Sequence, residues 1–355
     1  MIISIIIPVY KVGKYIKRCL ESVIAQECDE FVLECILIDD CTPDLSMEIA
    51  KDIIAHYTGA ICFKIIKNLE NQGLSCSRNN GLKIAKGDYV FFLDSDDYIT
   101  PNCLLCLYRE VNRYCCNIDM IVGNSYDCQI DHYWQERDEK PYLLLNHVDI
   151  MRRFLQVELP MMAWNKLVRR KLLLDNNLFF RPHMIHEDEL WSYELYNIVR
   201  AVVVIPDVTY FYEHNEDSIM NSPYSLIRRV EGCHILVSNM LNTLSQELYV
   251  EKFFWGISMY MKSEAIIRDA GLKGEVVSKD KQLSKMLLSR SLADFRLSIF
   301  IFLILTIQYP FCRLIRYRWF RQKYYGFRKI INKLALYFDS FHHKKQQISP
   351  DTTCY

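Results

Sequence analysis

The first 125 residues alternate between short apolar runs and helical patterns, and this alternation limits the possible folds more than any other feature. Ile2–Val9 is an almost continuous β-branched run, which is typical of a strand buried on both faces. Further strands are predicted at 31–38, 61–67, 88–93 and 118–124, with helical patterns between most of them. Strand–helix alternation favours an α/β fold with a mostly parallel sheet.

Three of these strands end in short segments that contain polar residues. Pro8 and Tyr10 close the first strand, Asp39 and Asp40 the second, and an Asp-Ser-Asp-Asp segment at 94–97 the fourth. Ligands of open α/β sheets bind beyond the carboxyl ends of the strands, so these residues should meet at one edge. Clustered carboxylates there repel one another unless a cation lies among them. The alternative is a solvated acidic turn that precedes the next helix.

Composition argues against two kinds of phosphate recognition. The chain has only 11 glycines, with no G-x-G and no P-loop pattern, so the glycine-rich loops that hold phosphates are absent. Its 43 basic and 43 acidic residues give a net charge of zero, which argues against a general nucleic-acid binder. A phosphate group would have to be held by other means, such as a divalent ion at the acidic strand end.

The chain has fourteen cysteines, which raises the question of a disulfide framework or a zinc site. No signal-peptide pattern precedes the first strand, so we expect the thiols of a reducing cytosol. Cys103 and Cys106 form a C-x-x-C, but no second pair lies at ligand spacing. A helix that carries thiols is therefore favoured over a zinc site.

The C-terminal tail is apolar and then basic. The stretch 297–307 is strongly apolar but shorter than the roughly 20 residues that span a bilayer. Basic and aromatic residues then interleave from Arg313 to Lys345, where Asp339 is the only acid. This pattern predicts a cytoplasmic protein that lies peripherally on the membrane face through its tail. The alternative is a buried terminal helix with a solvated basic face.

Four motifs occur in order in the first hundred residues. They are SIIIPVYK at 4–11, IDDCTPD at 38–44, NQGLS with a following Arg-Asn at 71–79, and LDSDD at 93–97. Together they resemble the inverting family 2 glycosyltransferases of the GT-A fold. The resemblance is strong over 1–125, weaker to about 220, and absent beyond. The family's usual D-G-S is Asp40-Cys41-Thr42 here, so the turn glycine is replaced.

The resemblance implies a role for each motif residue. Pro8 and Tyr10 would line the nucleotide base, and the Asp40 carboxylate would accept a hydrogen bond from a uracil-type base. Arg78 would face the nucleotide or its diphosphate. Asp94 would lie near the ribose. Asp96 would bind a Mn²⁺ or Mg²⁺ ion, and Asp97 would be a second ligand of that ion. His214 would complete the metal shell or touch the diphosphate.

The resemblance also implies an acceptor side. The family places an acidic pair about 90 residues after the metal motif, and Glu187-Asp188 fits that spacing. Asp188 would be the base that takes the proton of the acceptor hydroxyl, and Glu187 would bind the acceptor. Trp164 and Lys166 resemble a W-x-K element that would contact the acceptor. Without the upstream motifs, these acids would be read as a helix N-terminus favoured by the dipole, and Trp164 as a core aromatic.

We therefore predict a GT-A catalytic domain over 1–220, with a nucleotide-binding half at 1–125 and an acceptor half at 126–220. A helical extension would follow over 221–355. The expected activity is metal-dependent, inverting sugar transfer from a nucleotide-diphosphate donor, with UDP-sugars favoured. The expected acceptor is a glycan or a lipid-linked molecule in cell-surface polysaccharide synthesis, with no nucleic acid as partner. The alternatives are a degenerate relative that acts as a membrane-associated assembly partner, and a D-x-D phosphatase-like hydrolase.

Overall fold

The computed structural model describes residues 1–27, 29–133, 140–215, 225–244 and 248–293. These residues form ten strands and ten helices. The strands are β1 (Ile2–Val9), β2 (Val32–Asp39), β3 (Cys62–Lys67), β4 (Tyr89–Phe92), β5 (Tyr98–Ile99), β6 (Met120–Asp127), β7 (His132–Tyr133), β8 (Tyr142–Leu144), β9 (Lys166–Arg169) and β10 (Val202–Tyr212). The helices are α1 (Ile16–Ile24), α2 (Ser46–His56), α3 (Leu74–Ile84), α4 (Cys103–Val111), α5 (His147–Leu155), α6 (Arg170–Asp175), α7 (Glu187–Ile198), α8 (Ser225–Asn242), α9 (Tyr249–Asp269) and α10 (Glu275–Ala293).

The strands form one mixed sheet whose main path is β3-β2-β1-β4-β9-β6-β10-β5, with β7 on β6 and β8 on β10. The strands β1 to β4 pair in parallel, with β1 central between β2 and β4. β6 and β10 form a second parallel pair. The predicted fold class, a mostly parallel α/β sheet followed by helices, is confirmed.

A short strand that the sequence did not reveal joins the two parallel parts of the sheet. β9 runs antiparallel between β4 and β6, so that Leu167 pairs with Phe91 on one side and with Ile121 on the other. Its four residues are too few to show a period-2 pattern. The two β runs predicted at 201–205 and 208–212 form the single strand β10, whose register against β6 shifts between Val204 and Tyr210.

The core forms because the apolar periodicity of each element faces the sheet. Seven consecutive residues of β1, from Ile3 to Val9, are buried, as expected of a strand covered on both faces. On α1 the residues Ile16, Cys19, Leu20 and Val23 are fully buried, at the spacing of one helical face. Each such aliphatic side chain contributes about 1.5–3 kcal/mol on burial.

The chain divides into two compact units. The first comprises Met1–Phe154 and Pro160–Ser225 and holds the whole sheet. The second comprises Leu155–Leu159 and Leu226–Tyr355, and its described part contains α8, α9 and α10. The boundary expected between 220 and 221 falls in residues that the structure does not describe, so it stays a prediction.

Two sequence expectations concern features outside the sheet. The apolar and basic tail, 297–345, lies outside the described residues, and so does the membrane contact predicted for it. Among the described helices, none is both long and apolar enough to cross a membrane. Cys103 is buried within α4 and Cys106 is half-buried one turn later, and burial raises the pKa of both thiols. The pair therefore behaves as packing residues of a helix.

Candidate functional site

Arg78 connects two of the predicted motifs. It lies on α3 and is only 2% exposed. Its guanidinium donates to Asp94 Oδ1 at 2.6 Å and to Glu187 Oε1 at 3.0 Å. Asp94 follows β4 and Glu187 begins α7, so Arg78 brings the acidic strand end and the acidic pair together. Burial alone would lower the arginine's pKa, but the charges of the two carboxylates hold the pKa above its usual range.

The N-terminus of α7 concentrates negative charge. Glu187, Asp188 and Glu189 form its first turn, after His186 in a left-handed conformation with φ 68°. The positive end of the helix dipole partly offsets these charges. Burial raises the pKa of Asp188 to about 7, and the charges of Glu187 and Glu189 add to the shift. A carboxyl group with a pKa near 7 is suited to accept a proton at neutral pH.

Two aspartates of the acidic segment after β4 have different hydrogen-bond partners. Asp96 Oδ2 accepts a hydrogen bond from Asn215 Nδ2 at 3.1 Å. Asp97 is 1% exposed, and its two oxygens accept the Tyr210 hydroxyl at 2.5 Å and the Glu213 backbone N–H at 2.8 Å. Because both Asp97 oxygens secure the end of β10, the structure gives no support to Asp97 as a metal ligand.

Electrostatics within this segment favour a cation. Burial raises the pKa of Asp96, and the neighbouring charge of Asp94 raises it further. The pKa of Asp97 is raised well above its usual range, by burial first and then by the charges of Asp96 and Asp94. Arg78 offsets part of this negative charge through its contact with Asp94, and a divalent ion at Asp96 would relieve the remaining repulsion.

His214 has a different neighbour from the one expected. Its Nε2 atom lies 3.1 Å from each carboxylate oxygen of Asp127, at the end of β6. Its ring also contacts Tyr212 edge-on, with centroids 5.0 Å apart. The Nε2 atom of His214 is thus engaged by Asp127. This arrangement does not support His214 as a metal ligand.

The carboxylate oxygens at this strand end fit a metal ion whose remaining ligands come from the substrate. Within the described part of the chain, no group of three or more His, Cys, Asp or Glu side chains could hold an ion by itself. Mg²⁺ sites that act on nucleotides commonly use one or two carboxylates and take the remaining ligands from water and substrate phosphates. The Asp94 and Asp96 carboxylates, both oxygen donors and both partly exposed, match that pattern.

The base-binding end of the site is formed by the turns after β1 and β2. Pro8 is buried in β1, and Tyr10 is 36% exposed at its carboxyl end. Asp40 is 3% exposed, and its oxygens accept the Asn68 side-chain amide at 2.7 Å and the backbone N–H groups of Gln72 and Gly73 at 2.8 Å. Asp40 therefore fixes the turn before α3, a role that the sequence did not predict. Its contact with a nucleotide base stays a prediction.

Cys41 occupies the position of the missing turn glycine. Its φ of 54° lies in the left-handed region that glycine adopts without strain. The turn after β2 thus has a side chain at a position whose backbone conformation favours glycine. Thr42 N–H donates to Asp39 Oδ1 at 3.0 Å and helps to hold the turn.

Both residues of the W-x-K element lie in the interior. Trp164 is 6% exposed and stacks on Tyr210, with ring centroids 4.3 Å apart. Lys166 is fully buried and donates to Ser192 Oγ at 2.9 Å and to the Met162 carbonyl. Burial lowers the pKa of Lys166 to about 7. The expectation that Lys166 contacts an acceptor is not supported, because its ammonium group is enclosed by protein, and Trp164 acts as a core aromatic.

Several residues at the site carried no sequence signal. Arg18 on α1, Tyr210 on β10, and Glu213 and Asn215 after it all contact the acidic segment. Asn215 directly follows His214, which was singled out for its motif. Alternation along β10 indicates that Tyr210 faces the core but not that its hydroxyl meets Asp97.

Known proteins agree with this architecture. The family model described as Glycosyl transferase family 2 matches residues 4–175. The putative glycosyltransferase EpsH of Bacillus subtilis is 30% identical over 228 residues, which cover 61% of this chain and 62% of EpsH. The chain therefore spans about three fifths of the length of that curated relative.

Two solved structures share the fold. Residues 1–349 of TarS from Staphylococcus aureus, in complex with UDP-GlcNAc, align with a TM-score of 0.61 and 22% identity, over 80% of this chain and 79% of that one. The mannosyltransferase PcManGT from Pyrobaculum calidifontis, in complex with GDP-Man and Mn²⁺, aligns with a TM-score of 0.54 and 12% identity, over 95% of this chain and 87% of that one. The motifs, the sheet and the family match agree: residues 4–175 of this chain are similar to glycosyl transferase family 2.

Proposed function

We propose that this chain transfers a sugar from a nucleotide-diphosphate donor, with UDP-sugars favoured, to a hydroxyl group of a glycan or lipid-linked acceptor, with inversion at the anomeric carbon. The observation that carries the proposal is the Arg78 bridge. It links Asp94, at the acidic strand end, to Glu187, which directly precedes Asp188. A donor held at the strand end would then lie beside a carboxyl group able to act as base.

Asp188 is the proposed base. It takes the proton from the acceptor hydroxyl as that oxygen forms its bond to the anomeric carbon. The bond from the anomeric carbon to the diphosphate oxygen breaks with its electron pair on the leaving diphosphate. Attack opposite the leaving group inverts the configuration at that carbon. The pKa of about 7 lets Asp188 be ionised before the reaction and still hold the proton afterwards.

A divalent ion, Mn²⁺ or Mg²⁺, is the proposed cofactor, and when bound it neutralises charge that develops on the leaving diphosphate. Asp96 is the proposed ligand from this chain, and Asp94 lies beside it. The Mn²⁺ in the PcManGT structure and the oxygen donors at the strand end support this assignment. Pro8, Tyr10 and Asp40 are the proposed base-binding residues, since they lie at the ends of adjacent strands in the sheet.

The donor and acceptor classes rest on the relatives. The TarS structure holds UDP-GlcNAc, and curated TarS is a poly(ribitol-phosphate) β-N-acetylglucosaminyltransferase that is 26% identical over 224 residues. These names favour a UDP-sugar donor and an acceptor in cell-surface polysaccharide assembly. The basic, aromatic tail favours an acceptor reached at the cytoplasmic face of a membrane.

The proposal is tested by UDP release from a panel of UDP-sugars in the presence of Mn²⁺, with and without a polysaccharide-precursor acceptor. At least one donor should be turned over, and EDTA, Asp96→Ala and Asp188→Asn should each abolish the acceptor-dependent release. Asp175→Asn is the matched control, because Asp175 lies on the surface helix α6 and pairs only with Lys171 in the described contacts.

Two results would contradict the proposal. If no donor is bound or turned over, or if Asp96→Ala keeps full activity, metal-dependent transfer is wrong. UDP protection in a thermal shift assay that EDTA abolishes, with no turnover of any donor, would instead support the degenerate binding partner. Phosphate release without sugar transfer would support the hydrolase.

A further inference from the structure

The segment after β10 contains a residue that nothing above assigns to the reaction. We propose that Asn215 positions the Asp96 carboxylate for the divalent ion, and that Arg18 holds the segment that carries Asn215. The inference rests on the proposed function, because it concerns the same metal. It replaces His214 with its neighbour Asn215 as the residue of this segment that serves the ion.

The contact between Asn215 and Asp96 is direct. Asn215 Nδ2 donates to Asp96 Oδ2 at 3.1 Å, across a sequence separation of 119 residues. His214, one residue earlier, has its Nε2 atom at Asp127 instead. A hydrogen bond to one carboxylate oxygen fixes the plane of the group and leaves lone pairs of the other oxygen for a ligand. Such bonds to metal-ligating carboxylates typically change metal affinity by about 10–100-fold.

Arg18 contacts both the acidic segment at 94–97 and the segment that carries Asn215. It projects from α1, and its Nη2 atom lies 2.8 Å from Glu213 Oε2 and 3.4 Å from the backbone carbonyl oxygen of Asp96. One guanidinium therefore joins the acidic segment to the residue two positions before Asn215. This nitrogen carries two N–H groups, so it can serve both acceptors at once.

Aromatic packing holds the arginine itself. The Arg18 guanidinium lies over the Tyr98 ring, 4.2 Å from its centroid. Tyr98 stacks on Phe211 of β10, with ring centroids 4.7 Å apart and planes 8° apart. Glu213 is held independently, since its N–H donates to Asp97 Oδ1 at 2.8 Å. The segment 213–215 is thus secured to the acidic strand end by links from Glu213 and Asn215, and Arg18 connects the two sides.

The experiment measures Mn²⁺ binding by electron paramagnetic resonance in the presence of saturating UDP. Asn215→Ala and Arg18→Gln should each weaken Mn²⁺ affinity, by roughly tenfold for Asn215→Ala. UDP affinity measured in EDTA should stay at the wild-type value, because neither residue is placed at the nucleotide. Lys17→Gln is the matched control, since Lys17 adjoins Arg18 on α1 and forms only an exposed pair with Glu21 in the described contacts.

The outcomes separate this inference from the proposed function. If the wild-type chain binds Mn²⁺ with UDP and both variants bind it equally well, the positioning role is wrong and the proposed function stands. An equal loss of UDP affinity in EDTA would show general damage to the site and would also overturn the role. If the wild-type chain binds no Mn²⁺ with UDP, the proposed metal dependence fails, and the inference fails with it.

Discussion

The guanidinium of Arg78 lies 3.0 Å from the carboxylate of Glu187, a residue 109 positions later in the chain. The same group binds Asp94 at 2.6 Å, so one buried cation holds two carboxylates from different parts of the fold. Asp188 directly follows Glu187, and its position relative to the acidic strand end therefore depends on Arg78. Removing the arginine would leave two carboxylates with little solvent and no cation.

Replacing Arg78 with Met should destabilise the protein by about 3–5 kcal/mol, because breaking a buried ion pair leaves an uncompensated charge. The free energy of unfolding in urea measures the loss. Arg109→Met is the matched control: its pair with Glu30 is 61% and 45% exposed, and such pairs contribute at most about 1 kcal/mol. If Arg78→Met does not fold, Arg78→Lys should fold with a smaller loss. Equal effects at Arg78 and Arg109 would contradict the bridge.

The pH dependence of transfer should follow the ionisation of Asp188. A general base acts when deprotonated, so kcat/KM should rise with pH through about 7 and then level off. Glu189→Gln removes a neighbouring negative charge, which lowers the pKa of Asp188 and should move the rising limb to lower pH. Initial rates of UDP release between pH 5 and 9 measure both effects. If the rising limb of the pH profile lies at the same pH in Glu189→Gln as in the wild type, a group other than Asp188 is titrating.

The strand ends could be predicted because they depend on local pattern. β1 was expected at Ile2–Val9 and has those bounds, since a continuous apolar run has one natural place in a parallel sheet. The convergence of Asp40 and Asp94 at one edge followed from the rule for open sheets. Chain order and alternation were sufficient for this part of the site.

Other parts of the site depend on tertiary packing, which spacing does not encode. Lys166 and Trp164 lie at motif positions, yet both are in the interior: Lys166 begins β9 and contacts Ser192 of α7, and Trp164, just before β9, stacks on Tyr210 of β10. A four-residue antiparallel strand has no periodicity to reveal it. The pairing of His214 with Asp127 depends on the register of β10 against β6, which its two irregularities set.

Lys166 should make stability depend on pH in a specific direction. Its pKa in the folded protein is about 7, below the usual 10.5, so protonation favours the unfolded chain. The stability of the wild type relative to Lys166→Met should therefore increase as pH rises from about 7 to 10. Urea unfolding at pH 7 and pH 9 measures the difference. Lys171→Met, at a position 75% exposed, should show no such change. A constant difference between wild type and Lys166→Met would mean that Lys166 has an ordinary pKa.

Cys41→Gly should stabilise the turn after β2. A residue other than glycine in the left-handed region carries roughly 1–2 kcal/mol of strain, and Cys41 has a φ of 54°. The change also removes the weak contact of its sulfur with the Asn68 carbonyl at 3.0 Å, so we expect a net gain of about 0.5–1 kcal/mol in urea unfolding. Cys62→Gly, at an exposed position of β3, should instead cost about 0.5–1 kcal/mol, because glycine weakens a strand. If both variants lose stability, the backbone at Cys41 is not strained and its side chain supports the turn.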